Sequence, residues 1–252
     1  MSDYQLGIPL LLTFLAGIST GIGSLCAFFV KRGQRAWLYF SLGLSAGVMI
    51  YVSFIELLSS AIESAGFVRA NLAFFIGIFF IMAIDFLVPH RFMAERVHPE
   101  IEDKKLLSAG TFVMIGIAIH NFPEGLAVFM SAMGDIRLGI ALAFAIAVHN
   151  IPEGIAVAMP IYYATGSRKK AFWYSLLSGV AEPLGALVGI IFLGPFLNAT
   201  VLSLALAFVA GIMVFISFDE ILPLSYQDEK GHLSIMGVIL GMFIMALSLQ
   251  LL

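Results

Sequence analysis

The residues best suited to chemistry lie in two copies of one short motif. Residues 120–128 return 29 positions later as residues 149–157, with seven of the nine positions identical. Each copy combines imidazole, amide and carboxylate side chains, which are suitable ligands for borderline and hard divalent cations. The duplicated motif therefore predicts a metal centre, and its candidate ligands are His120, Asn121, Glu124, His149, Asn150 and Glu153.

The spacing inside each copy puts its ligands on one side of a helix. Residues i and i+4 share a helix face, so we expect His120 beside Glu124 and His149 beside Glu153. Each asparagine lies three residues before its glutamate and flanks the same face. A carboxylate with both kinds of neighbour can bridge two cations, which favours a centre of two metal ions.

A proline adjoins each of three candidate carboxylates. Pro123 and Pro152 cannot donate a backbone hydrogen bond, so each is expected to kink or widen its helix and to free carbonyl oxygens near the site. Glu182 is followed by Pro183 in a similar way, which makes it the natural third carboxylate. Three ionised carboxylates are too costly in hydrocarbon unless divalent cations offset their charge.

The elements that must position these ligands are membrane helices. Of the 252 residues, 61% are hydrophobic and 12% are charged, whereas about a quarter of an average soluble domain is charged. Apolar runs long enough to cross a bilayer predict eight spans within a single polytopic transmembrane domain over residues 1–252. The predicted spans are 6–30, 37–60, 71–90, 107–133, 138–163, 171–194, 199–222 and 233–252.

The two motif copies lie near the middle of the fourth and fifth spans, which run in opposite directions. This arrangement is typical of a binding site at the membrane midplane, where two interrupted helices are related by a pseudo-two-fold axis. The basic residues orient the bundle, because 11 of the 13 Lys and Arg fall on one side of it. The positive-inside rule makes that side cytoplasmic and places both termini outside the cell membrane.

Further polar groups extend from the centre toward both membrane faces. Ionisable groups within spans are costly, so each is a candidate functional residue. In the orientation above, Glu56 approaches the outer surface, whereas Asp85 and Asp219 lie near the cytoplasmic end. A ladder of acidic groups suits a cation pathway. The candidate pathway residues are Met49, Ser53, Glu56, Asp85, His90, Asp219 and Glu220.

Composition also excludes several kinds of site. The net charge of −3 provides no basic surface for nucleic acid, and the single cysteine, Cys26, excludes an internal disulfide and a multi-cysteine metal site. The shortage of cysteine also argues against a soft Cu(I) site. The expected cargo is therefore Zn²⁺, Fe²⁺, Mn²⁺ or Co²⁺, with no resident cofactor.

Two consecutive helices that carry His-Asn-x-Pro-Glu-Gly resemble the ZIP family of metal-ion transporters, and most closely its bacterial zinc-transporting members. The resemblance extends over essentially the whole chain, including residues 41–49 in the second span and Asp219-Glu220 in the seventh. It implies an all-α membrane protein of eight helices in a 3+2+3 arrangement with pseudo-two-fold inverted symmetry. It also implies a binuclear centre formed by the two motifs and Glu182, with a ligand or pathway residue at Met49.

The resemblance implies import of zinc, and of iron, manganese and cobalt with modest selectivity, into the cytoplasm. An exporter with similar ligands stays open, because ligand chemistry does not set direction. An intramembrane zinc hydrolase is the alternative from another class. A hydrolase site usually keeps an open coordination position and asymmetric ligands, which disagrees with a duplicated motif. The expected partners are metal ions and the lipid bilayer, and the choice between monomer and homodimer stays open.

Overall fold

Helices joined by short connections make up the structure, a computed structural model that describes residues 4–31, 34–87, 103–189, 191, 198–226 and 231–250. Within these ranges eight helices are long and apolar enough to cross a membrane. A chain in lipid can satisfy its backbone polar groups only as a helix or a closed barrel, which explains why the apolar runs fold this way. The prediction of an all-α membrane protein with eight spans is confirmed.

We number the spans α1 to α8 in chain order. Helix α1 is Tyr4–Gly23, continued after a turn by Cys26–Phe29, and α6 comprises Arg168–Gly179 and Ala181–Val188. The others are α2 Arg35–Ala65, α3 Phe67–Leu87, α4 Lys104–Gly134, α5 Ile136–Thr165, α7 Ala199–Ser225 and α8 Gly231–Gln250. Helix α3 begins at Phe67, four residues before the start of the predicted third span.

Short polar residues and glycines set the helix ends. The side chains of Asp103, Asp135, Ser167 and Asn198 each accept a hydrogen bond from a backbone N–H in the first turn of the following helix, which is the usual role of an N-cap residue. Gly166 ends α5 with φ of +69° and Gly66 separates α2 from α3 with φ of +87°. Both values favour glycine because it has no Cβ.

The helices pack in pairs around a central α4–α5 contact. Helix α1 packs extensively against α5, and α6 packs extensively against α4. On the other side of the bundle, α2 packs against α8 and α3 packs against α7. The two helices that carry the repeated motif are thus held between the other helices of the bundle.

Helices α2 and α7 each contain one turn of π-helix. These turns are Ser53–Leu58 and Ser217–Ile221. The hydroxyl of Ser53 donates to the Met49 carbonyl at 2.6 Å, and that of Ser217 donates to the Met213 carbonyl at 2.7 Å. Such π turns occur often at functional sites, and both are close in sequence to candidate pathway residues.

Candidate metal centre

The two motif copies face each other at the α4–α5 contact. His120 Nε2 lies 3.0 Å from Glu153 Oε2, and His149 Nε2 lies 3.4 Å from Glu124 Oε2. All four side chains are buried. The structure therefore brings the predicted histidine and glutamate ligands together in two close pairs.

These pairs cross between the helices. The i, i+4 spacing led us to expect each histidine beside the glutamate of its own motif, whereas its close contact is with the glutamate of the other motif. Helical periodicity establishes which residues share a face but not what the opposite helix presents to that face. The crossed contacts make each carboxylate a link between α4 and α5.

The two asparagines are held by their amide nitrogens. Asn121 Nδ2 donates to the Ser178 carbonyl of α6 at 3.2 Å, and Asn150 Nδ2 donates to the Ala16 carbonyl of α1 at 3.0 Å. The Oδ1 atoms of both asparagines are buried and have no hydrogen-bond partner among the residues that the structure describes. Since an amide oxygen is a metal ligand, this orientation leaves each asparagine able to coordinate a cation.

Glu182 joins the centre from α6. A turn at Val180 separates the two segments of α6, and Glu182 lies at the start of the second segment with its side chain fully buried. Its Oε1 accepts a hydrogen bond from Asn150 Nδ2. Gly125 of the first motif packs directly on the Glu182 backbone, where a Cβ would overlap it. The third predicted carboxylate is thus in contact with both motif helices.

The prolines are accommodated within continuous helices. Pro123 lies inside α4 and Pro152 inside α5, and helical structure continues on both sides of each. The carbonyl of Pro152 accepts a hydrogen bond from the Ser45 hydroxyl of α2 at 2.5 Å. This bond connects the second motif to the helix that carries Met49 and Glu56.

The electrostatics of the centre are those of a buried anionic site. Glu124, Glu153 and Glu182 are each at most 1% exposed. In the described part of the chain, all seven candidate ligands carry at least one buried nitrogen or oxygen atom without a hydrogen-bond partner. Unpaired buried polar atoms are rare because each costs free energy. Their concentration here indicates a site suited to binding a cation.

The ligand atoms are arranged as pairs rather than as one tight cluster. Among the described residues, the only His, Cys, Asp and Glu that bring three ligand atoms within 4.8 Å of one another are Asp85, Asp219 and Glu220. These three residues were predicted to lie at the same depth on the third and seventh spans, and they do lie together.

The remaining candidate pathway residues are three residues of α2 and His90. Met49 and Ser53 are fully buried, and Glu56 is half-buried. His90 lies outside the described residues. The structure thus brings the second-span candidates into the bundle, and it describes nothing that bears on His90.

Sequence reasoning missed a second internal repeat. Residues 47–58 return 164 positions later as residues 211–222, with six of twelve positions identical. The repeat aligns Met49 with Met213 and Ser53 with Ser217, and it covers both π turns. A direct comparison of the second and seventh spans would have found this signal and would have added Met213 and Ser217, both fully buried, to the candidate residues.

Comparisons with known proteins agree on one family. The family model described as "ZIP Zinc transporter" matches residues 96–249. A "Zinc transporter ZupT" from Chlorobium phaeovibrioides is 54% identical, over 96% of this chain and 97% of the relative. Proteins with the same name from Streptococcus mutans and Oceanobacillus iheyensis are 52% and 48% identical, over at least 96% of each chain.

Proposed function

Because the chain belongs to the ZIP family of zinc transporters, as its paired motifs predicted, we propose that it imports Zn²⁺ into the cytoplasm through the buried α4–α5–α6 centre. It is a multi-pass membrane protein and a transporter rather than an enzyme. The ligands in this proposal are His120, Asn121, Glu124, His149, Asn150, Glu153 and Glu182.

The observation that carries the proposal is the collection of buried, incompletely paired ligand atoms at the centre. A charged side chain at the bilayer centre costs about 3 kcal/mol or more, and three buried carboxylates meet here beside two histidines. A divalent cation replaces the missing partners of these atoms and offsets their charge. Imidazole, amide and carboxylate ligands suit Zn²⁺ and can also bind Fe²⁺, Mn²⁺ and Co²⁺.

The crossed pairs favour two adjacent cations. Glu124 and Glu153 each contact a histidine of the other helix with one oxygen, and each has a second oxygen without a partner in the described structure. A carboxylate in this position can bridge two ions. Asn121 is held by a backbone carbonyl of α6 and Asn150 by one of α1.

Two further observations support an inverted repeat in a 3+2+3 arrangement. The contact of α1 with α5 corresponds to that of α6 with α4, and the contact of α3 with α7 corresponds to that of α8 with α2. The π turns of α2 and α7 correspond in the same way. Such repeats are typical of transporters with a midplane site.

The proposed direction of transport and the proposed side of the termini rest on the distribution of basic residues. With 11 of 13 basic residues on one side, the positive-inside rule supports termini outside the cell membrane. The second and fourth spans then run outward, and cargo that reaches the centre from outside leaves toward the acidic residues of α3 and α7.

Uptake of radioactive zinc by proteoliposomes tests the proposal. We expect Glu124→Ala and Glu153→Ala to abolish uptake, because each removes a carboxylate that the centre needs for charge balance and bridging. Glu63→Ala is the control, since Glu63 is exposed at the end of α2, and its uptake should match that of the wild type. Normal uptake by either centre variant, at equal insertion into the bilayer, would refute the assignment.

A further inference from the structure

A partly enclosed cavity lies beside the centre, and the space within it that the centre of a water-sized sphere can occupy is about 70 Å³. Glu124 and His149 of the centre line it, and Glu56 of the α2 π turn lines it as well. Most of its other walls are apolar and come from α2, α4, α5, α7 and α8, with Val52, Leu142 and Met245 among them. The cavity therefore connects a carboxylate outside the proposed ligand set with two members of that set.

The cavity contains few groups that attract a cation. Of its lining residues, Glu56 and Glu124 carry carboxylates, His149 an imidazole and Ser60 a hydroxyl. Glu124 and His149 are almost fully buried, and each has an atom without a hydrogen-bond partner in the described structure. Glu56, by contrast, is half-buried. Apolar walls focus the field of such a carboxylate, because they screen it less than water does.

We propose that Glu56 holds a hydrated divalent cation in this cavity, as a third position that cargo occupies before it enters the proposed centre. A single carboxylate with one hydroxyl nearby cannot replace a full coordination shell, so the ion keeps most of its water. The cavity has space for several water molecules, since about 10–15 Å³ of such volume holds one. The ion loses that water only on reaching Glu124 and His149, where imidazole and carboxylate ligands replace it.

This inference rests on the proposed function, and on the proposed orientation for its direction. The outward course of α2 puts Glu56 between the outer surface and the centre. The cavity is then the position that a cation from outside occupies first, and Glu56 raises the rate at which the protein captures cations at low concentration. Capture by Glu56 does not change how tightly the histidine–glutamate pairs of the centre bind the cation.

Initial rates of zinc uptake by proteoliposomes test the inference. We expect Glu56→Gln to raise the KM for Zn²⁺ about tenfold at low ionic strength, because the attraction that concentrates the ion is lost. The kcat should stay within about twofold of wild type, because the centre is intact. Added salt should narrow the difference in KM, since it screens the charge of the wild-type carboxylate.

Matched variants distinguish an effect on cation capture from an effect on folding and from an effect on binding at the centre. Glu56→Asp keeps the charge, and Glu63→Gln removes an exposed carboxylate of the same helix; both should retain the wild-type KM. An unchanged KM in Glu56→Gln would overturn the inference, and so would a loss of tight zinc binding by that variant, which would make Glu56 a ligand of the centre. Normal uptake by Glu124→Ala would instead refute the proposed centre, while the KM of Glu56→Gln would still report on the cavity.

Discussion

At the scale of single residues, the two asparagines explain how the centre keeps oxygen atoms available for a cation. An asparagine can donate through its nitrogen and accept through its oxygen. Asn121 and Asn150 use their nitrogens on backbone carbonyls of α6 and α1. These hydrogen bonds fix the orientation of each side chain and leave its Oδ1 atom without a hydrogen-bond partner in the described structure. Both asparagine side chains are therefore already oriented in the absence of a cation.

Replacing Asn121 by alanine should weaken one cation position without eliminating transport. The variant loses one amide oxygen, but both crossed histidine–glutamate pairs remain. We expect equilibrium titration of the purified protein to show one zinc ion bound tightly instead of two. Uptake of zinc should fall, and selectivity among zinc, manganese and cobalt should shift, because one position has lost a neutral oxygen ligand.

Asn71 provides the control for this variant. Its Nδ2 also donates to a backbone carbonyl, that of Phe67 at 2.8 Å, but it does so on α3, outside the proposed ligand set. Asn71→Ala should bind and transport zinc as the wild type does. Loss of both bound ions in Asn121→Ala would contradict separate roles for the two asparagines.

The ligand types could be predicted from the sequence, but their partners could not. His120 and Glu124 share a helix face by periodicity alone. The contact of His120 with Glu153 depends on how α4 and α5 are rotated against each other, and no local pattern encodes that rotation. The same limit applies to Asn121, because its hydrogen bond to Ser178 joins residues 57 positions apart.

At the scale of the helices, small residues permit the contacts that place the ligands. Gly125 packs on the backbone of Glu182, and Gly154, its equivalent in the second motif, packs on the carbonyl of Thr20 in α1. Membrane helices pack most closely where small residues let the backbones approach. The glycine in each motif thus fixes the distance between a motif helix and its outer neighbour.

Replacing Gly125 by alanine should weaken zinc binding and destabilise the bundle. The added methyl group overlaps the backbone at Glu182, so α6 must move and take its carboxylate with it. Overpacking of this kind costs about 1–3 kcal/mol. We expect a lower midpoint of thermal unfolding in detergent, together with a higher dissociation constant for zinc.

Gly134, at the end of the same helix, is the matched control. Apart from its own helix, the described structure has no atom within 4 Å of the position that a Cβ would take there. Gly134→Ala should therefore keep the wild-type unfolding midpoint and zinc affinity. Equal behaviour of the two variants would contradict a positioning role for Gly125.

The helices themselves could be predicted from apolar length, whereas their internal irregularities could not. Hydropathy identifies a span because about 20 apolar residues are needed to cross the bilayer. The π turns of α2 and α7 carry acidic residues, but hydropathy does not distinguish a π turn from an α-helical turn of the same composition. The repeat that covers both turns begins each of them with a serine, Ser53 or Ser217, whose hydroxyl donates to a carbonyl of the preceding turn.

At the scale of the whole molecule, two sequence repeats with different spacings agree with the same inverted relation between the two halves of the bundle. The motif pair lies on adjacent helices, and the second pair lies on α2 and α7, 164 residues apart. Gly47 of α2 packs on Val238 of α8, and its equivalent Gly211 of α7 packs on Phe74 of α3. Both repeats thus relate one half of the bundle to the other.

The proposed orientation can be tested with single cysteines, since Cys26 is the only cysteine of the chain. In a Cys26→Ser background, Ser64→Cys marks the connection between α2 and α3, and Lys169→Cys marks the start of α6. Both positions are exposed. The excess of basic residues near Lys169 makes that side cytoplasmic. A membrane-impermeant maleimide should therefore label Ser64→Cys in intact cells, and Lys169→Cys only after the cells are permeabilised.

This experiment also decides what the cavity at Glu56 does. Glu56 precedes Ser64 by eight residues on α2, so the labelled side is the side toward which the cavity extends. Labelling of Ser64→Cys from outside makes the cavity an entry position, and a raised KM for uptake in Glu56→Gln then follows from slower capture. The opposite labelling pattern would make the same carboxylate an exit position. In that case its loss would change the release of zinc to the cytoplasm instead of its capture from outside.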